Sequence, residues 1–340
     1  MKAKDISGQA PGGKRTKLAD VLPLKTPYVV QIFPVYACNF KCKYCIFSIS
    51  KEKRGFISDK ALMDLDLYKK CVDDMFEFPE KIKVLRFVGI GEPLLHKDIV
   101  EMIYYTVCKG IALKTELLTN ASLLTPVLSD ALIKSGLSRL VVSLQGTSKK
   151  IYKDVCGADI DMDKFLRNLR YFYEHKKNTE MYLKIVDTAL DGEADKEKFF
   201  KLFGDICDTI AVEHTVPIHS NIDYTDILLE KKGKVTQFGL PVNELDICSQ
   251  PFFTMQVNPD GKVVPCYSFE YPGIMGDCNK EKLTDIWNGT EFAKFRRQIL
   301  ERKKNEVCKN CNISKYRSFP EDSLKDDAER LKTYYKDNLK

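Results

Sequence analysis

Short β-rich runs and amphipathic helical runs alternate every 30–35 residues or so over most of this chain, and that rhythm narrows the fold more than any other feature. The β-rich runs are VVQIFPVYA (29–37), IKVLRFVG (82–89), ALKTELLT (112–119), SRLVVSLQ (138–145), MYLKIVDT (181–188) and DTIAVEHT (208–215). Helical periodicity lies between them at 58–76, 97–110, 126–136, 162–177 and 194–205, with Ser58 and Asp98 as N-cap candidates. Parallel strands need such crossover helices, so the expected class is α/β with a parallel sheet. Six units fit into residues 29–215, short of the eight that close a full barrel, so a partial (β/α)6 TIM-like barrel or an open six-unit sheet is expected.

The rhythm stops near residue 216. Residues 216–246 carry Pro and Gly without a period and read as a connector. Beyond them FFTMQVNPDGKVVPC (252–266) alternates around Pro259, Asp260 and Gly261, a hairpin signal, and helical stretches follow at 281–303 and 321–339. The expected organisation is a flexible arm (1–27), a core (28–215), the connector, a small hairpin-plus-helix domain (247–312) and a helical tail (313–340).

A net charge of +6 with basic residues interspersed among acids leaves no nucleic-acid arm. The polar N-terminus lacks the apolar stretch of a signal peptide, and no apolar run reaches the 18 residues of a membrane span. A cytoplasmic protein with neither nucleic-acid nor membrane partners is expected. In that compartment disulfides are rare, so twelve cysteines point to metal ligands or redox centres. Cys71 and Cys108 fall on apolar helical faces and read as buried small hydrophobes. Cys156 and Cys207 are weaker candidates for redox or hydrogen-donor roles.

Three cysteines, Cys38, Cys42 and Cys45, follow the first strand with C-x3-C-x2-C spacing. Structural zinc is closed by four ligands, and His96, His175, His214 and His219 all lie far from this stretch in the sequence. Three thiolates on an iron–sulfur cube leave one iron open to an outside ligand. With Tyr44 before the last cysteine, the motif resembles that of the radical S-adenosylmethionine (SAM) superfamily. GIGEP (89–93) is similar to that family's GGE motif, with Ile90 at the first Gly; LTNAS (118–122) and SLQG (143–146) are similar to its T-N-G and S-L-D-G turns, with Ala121 and Gln145 as departures. The resemblance implies a 4Fe–4S cluster on the three cysteines. It also implies SAM contacts at Tyr44, Gly91, Glu92, Asn120 and Ser143, with Lys184 placed to neutralise the SAM carboxylate. Reductive SAM cleavage to a 5′-deoxyadenosyl radical, and abstraction of a substrate hydrogen, follow as the implied chemistry.

A second set combines Cys248 and Cys266, seventeen residues apart around the hairpin, with Cys308 and Cys311 in a C-x2-C. Four thiols suffice for a zinc ribbon or an iron–sulfur cluster. The region resembles the SPASM/Twitch extension of radical SAM enzymes and, with no cysteine after Cys311, its shorter Twitch form. That implies one auxiliary 4Fe–4S cluster, with Cys278 as a possible additional ligand. Such a cluster suits oxidation of a substrate radical, so the expected activity is oxidation of a small sugar or aminocyclitol-like molecule. Modification of a ribosomally made peptide (epimerisation, thioether formation or maturation) is the alternative; the 27 residues before the first strand leave no room for a leader-binding domain. An iron–sulfur electron carrier is disfavoured by the SAM-like motifs. A flavodoxin- or ferredoxin-type electron donor is implied as partner. Glu213, His214, His219 and Tyr224, near the sixth strand end and in the connector, are the candidate catalytic bases or polar anchors.

Overall fold

The computed structural model describes residues 1–9, 15–55, 58–228, 234–242, 245–267 and 270–337. Its strands are β1 (Lys4–Asp5), β2 (Val29–Ile32), β3 (Ile82–Phe87), β4 (Ala112–Thr119), β5 (Arg139–Leu144), β6 (Glu180–Val186), β7 (Thr209–Glu213), β8 (Thr254–Val257), β9 (Lys262–Val264) and β10 (Gly276–Asp277). They form one sheet in the order β1-β7-β6-β5-β4-β3-β2-β8-β9-β10. The pairs from β1 to β8 are all parallel, and β8-β9-β10 is antiparallel. The helices are α1 (Leu18–Val21), α2 (Leu65–Phe76), α3 (Ile99–Lys109), α4 (Pro126–Lys134), α5 (Lys149–Cys156), α6 (Met162–His175), α7 (Gly192–Phe203), α8 (Leu283–Asn288), α9 (Thr290–Leu300), α10 (Glu306–Lys309), α11 (Ile313–Arg317) and α12 (Ala328–Asp337).

Local chemistry explains the boundaries. Thr125 accepts a hydrogen bond from the Leu128 amide at 3.2 Å and Pro126 opens α4; Ser148 and Asp161 cap α5 and α6 in the same way. Gly157 ends α5 at φ 70°, a conformation glycine adopts without strain. Ser58 is not a helix cap. Its hydroxyl accepts from the Lys60 amide at 3.2 Å, a bridge between Val35 and Leu62 holds the chain out of helix, and α2 starts only after Asp64. Asp98 does precede α3, but its side chain makes no capping bond.

The edges of the sheet add what the expected organisation did not contain. The hairpin of the small C-terminal domain continues the sheet: β8 runs beside β2, with Val29 opposite Thr254 and Ile32 opposite Val257, and so covers what would be an open sheet edge. The first 27 residues are not a free arm, since β1 pairs with β7 and Leu18, Ala19 and Leu22 are buried. The tail docks too: Leu331 and Tyr335 are buried, and Tyr335 meets Phe252 edge to face at 5.9 Å. The expected helix at 281–303 is two, because α8 and α9 meet at Gly289, where a side chain would strike the Asp285 carbonyl at 2.5 Å. Cys71 is buried as expected, but Cys108 is exposed. Among the described residues no helix is long and apolar enough to cross a membrane.

Candidate active site

The carboxyl ends of the parallel strands carry the site, as sheets of this kind dictate. The loop after β2 bears Cys38, Cys42 and Cys45. It is tied to the end of α5, where the Lys41 amide donates to the Cys156 carbonyl and the Lys43 amide to the Val155 carbonyl, both at 2.9 Å. It is tied to the loop after β3, where the Glu92 amide donates to the Ala37 carbonyl at 2.8 Å. Gly91 allows that approach: at φ 150° a Cβ there would lie 2.3 Å from the Val35 carbonyl oxygen.

Glu92 is buried and collects three donors: the Thr119 hydroxyl at 2.6 Å, the Asn120 amide at 2.7 Å and the Leu94 amide at 3.0 Å. Asn120 reaches back to the cysteine loop, its side-chain amide donating to Asn39 at 2.9 Å. The Tyr44 hydroxyl donates to Gln145, whose amide donates to the Ser143 carbonyl at 3.2 Å. Tyr44, Gly91, Glu92, Asn120 and Ser143 thus converge on the cysteine loop. Lys184 does not: its ammonium lies 2.7 Å from Glu213, which neutralises it.

Burial disfavours the thiolate form of the loop cysteines in the absence of metal. Burial pushes Cys38 up to about 12. Cys42 is raised by a hydrogen bond with the Cys156 thiol and then by burial, and Cys45 is raised by burial. A metal must displace the thiol protons, which couples occupancy to pH. Among the described residues no three such side chains meet closely enough to hold a single metal ion. A cluster asks for wider spacing, because each thiolate binds a different iron. Three soft donors on one short, anchored loop fit that demand.

The second set forms around α10. The Asn305 side chain caps that helix through the Cys308 amide at 2.9 Å. Cys248 is pushed up to about 12 by burial and then by Cys311 and Cys308, and Cys308 to about 11 by burial and then by Cys311. Three thiols are thus within electrostatic reach of one another, while Cys266 follows β9, half-buried. The donor chemistry fits a cluster here as well. Cys278 is turned elsewhere: it is fully buried and its thiol is hydrogen-bonded with Cys71 on α2.

A small cavity, partly open to solvent, lies where the segment after Cys45 meets the C-x2-C of the second set. Ile46, next to Cys45, forms one wall and Cys311 another; Arg54, His219, Asn221 and Glu270 supply polar groups. His219 is held neutral, pushed down to about 3 by burial and then by the Arg317 charge. Tyr224 donates to the Tyr44 carbonyl at 3.3 Å, which fastens the connector to the cysteine loop. The other two catalytic candidates are engaged elsewhere. Glu213 binds Lys184, the Gln237 amide at 2.7 Å and the Tyr182 hydroxyl at 3.1 Å, and burial and Lys184 oppose each other with Lys184 and its companions winning, so its pKa is lowered. His214 is paired with Asp187 at 2.8 Å. Arg54, Asn221 and Glu270 were not anticipated. They lie in segments without periodicity, brought together by contacts such as the Asn221 amide on the Lys53 carbonyl at 2.9 Å, and no local pattern announces them.

A family model for the radical SAM superfamily matches residues 32–203, and one for an iron–sulfur cluster-binding domain, SPASM, matches residues 248–312. The chain is 25% identical over 281 residues to the S-adenosyl-L-methionine-dependent 2-deoxy-scyllo-inosamine dehydrogenase of Niallia circulans, spanning 81% of this chain and 88% of that protein. It is 23% identical over 314 residues to the PqqA peptide cyclase of Bradyrhizobium diazoefficiens, spanning 84% of this chain and 79% of that protein. In fold it is similar to Streptococcus suis SuiB bound to S-adenosylmethionine, with a TM-score of 0.64 at 18% identity over 88% of this chain and 74% of the other.

Proposed function

Because the chain belongs to the radical SAM superfamily, we propose that it is a cytoplasmic enzyme that oxidises a small sugar or aminocyclitol-like substrate in the cavity where the segment after Cys45 meets the C-x2-C of the second set. Cys38, Cys42 and Cys45 would hold the SAM-binding 4Fe–4S cluster, and Cys248, Cys266, Cys308 and Cys311 the auxiliary one. When bound, SAM and the first cluster supply a hydrogen-abstracting radical, and the second cluster accepts the electron that the substrate radical must lose. A flavodoxin- or ferredoxin-type protein would supply the reducing electron.

The chain's own residues prepare that chemistry. Glu92 and Asn120 lock the cysteine loop against β4, and Gly91 admits the loop backbone. Tyr44 and Gln145 fix the loop over β5, leaving Ser143 at the strand end beside it. His219, neutral at physiological pH, lines the cavity without adding charge to it. Arg54 and Asn221 line the same space.

The observation that carries the reading is the position of the cavity, with Ile46, next to Cys45, on one wall and Cys311 on another. Peptide modification is the second reading, supported by the likeness to the PqqA peptide cyclase. The test is anaerobic turnover with a panel of aminocyclitols and sugars and, in parallel, short peptides. Deoxyadenosine formed together with a ketone product from a polyol supports the oxidation. Deoxyadenosine formed with peptides alone would replace it with the second reading.

A further inference from the structure

The second cysteine set lies in an uneven field of charge. Arg317 closes α11, six residues after Cys311, and its guanidinium lies 4.8 Å over the ring of Tyr267, the residue that follows Cys266. A single side chain therefore spans from the hairpin arm of the set to the C-x2-C arm. Its Nε is buried without an acceptor, and it has no carboxylate partner among the described residues. Lys304, half-buried just before α10, likewise has no carboxylate partner among the described residues. Lys304 stands four residues before Cys308 in the same turn that leads into α10. Glu270 lines the same cavity as Cys311 and carries the opposite charge.

Several other guanidinia meet carboxylates, whereas the buried Arg296 donates to the Pro251 and Trp287 carbonyls instead. Arg86 and Arg139 share Glu116, at 2.6 and 3.5 Å, and Arg15 meets Asp322 at 2.8 Å. A half-buried cation without a carboxylate partner suits a negative group that arrives beside it, and among the described residues Arg317 and Lys304 are such cations. A cluster bound by thiolates carries net negative charge and becomes more negative on reduction. A nearby cation stabilises the reduced form more than the oxidised one and so raises the potential.

We propose that Arg317, seconded by Lys304, is the counter-charge of the auxiliary cluster and sets its potential high enough to accept an electron from the substrate, with Glu270 as the opposing influence. Arg317 is thus a positioning residue for charge, and the proposal rests on the reading that the second set holds a cluster.

The test is an EPR-monitored redox titration of reconstituted protein in a Cys38→Ala/Cys42→Ala/Cys45→Ala background, where the auxiliary cluster alone reports. The signs are the signature. Arg317→Gln should lower the midpoint, Lys304→Gln should lower it less, Glu270→Gln should raise it, and Arg317→Lys should keep it near the parent value, with about four irons per chain throughout. An unchanged midpoint in Arg317→Gln, or shifts of one sign in all variants as loosened packing would give, would overturn the assignment. Should Arg317→Gln shed its iron, the opposite signs at Lys304 and Glu270 still decide the matter. A background protein that binds no iron would refute the cluster reading, and the counter-charge with it.

Discussion

Gly91 and Glu92 are adjacent, and each serves the cysteine loop by a different physical route. Glycine is required because the Val35 and Ala37 carbonyl oxygens occupy the space of a side chain, at 2.3 and 2.8 Å from where a Cβ would stand. Gly91→Ala should destabilise the fold by about 1–3 kcal/mol and lower the iron content of the first set selectively; thermal unfolding and iron assay check both. Glu92 was legible as a motif residue, but the three donors its carboxylate receives, from its own loop and the end of β4, were not. Lys184 and Glu213 were read as two separate site residues and are one ion pair. The pair exists because β6 and β7 lie side by side, with Lys184 opposite Ala211 and Glu213 opposite Val186. A register between distant strands leaves no trace in either strand alone.

Between strands the same logic yields a measurable pH effect. Glu116 on β4 sits between Arg86 on β3 and Arg139 on β5, at 2.6 and 3.5 Å. Burial acts to raise its pKa, but Arg86 and then Arg139 overcome burial and hold the carboxyl below the usual value. A carboxyl with a depressed folded pKa contributes stability above its unfolded pKa and loses it as pH falls through the folded one. Glu116→Gln should therefore cost about 1–3 kcal/mol at neutral pH, discounted for the exposure of Arg86, and lose less stability than the parent on acidification below pH ~5. Denaturant melts at pH 7 and pH 4 give both numbers; a parent and variant that fall in parallel would contradict the assignment. At this scale the sequence was a good guide to β2–β7 and to the turn at Gly261, whose φ of 87° explains the glycine. Helix α5 escaped notice although Ser148 and Gly157 bracket it, because its eight residues are too few to establish a period. The partner of β8 was not legible either, since only the open edge of β2 dictates it.

Over the whole molecule, the segment without periodicity does the assembling. Residues 216–246 read as a connector, yet its Asn221 holds the loop beyond Cys45 and the Asn312 amide donates to the Pro217 carbonyl at 2.9 Å, next to Cys311. The connector therefore draws both cysteine regions onto one cavity, an arrangement set by long-range contacts rather than local pattern. The central claim is that each set holds its own cluster and that the two serve one pocket. The most direct measurement is iron and sulfide after anaerobic reconstitution, followed by reductive SAM cleavage, in the parent, in a Cys38→Ala/Cys42→Ala/Cys45→Ala variant and in a Cys248→Ala/Cys308→Ala/Cys311→Ala variant. About eight irons per chain should fall to about four in either variant, with deoxyadenosine formation abolished only when the first set is removed. About four irons in the parent, none after loss of the first set, and zinc at the second would contradict the account.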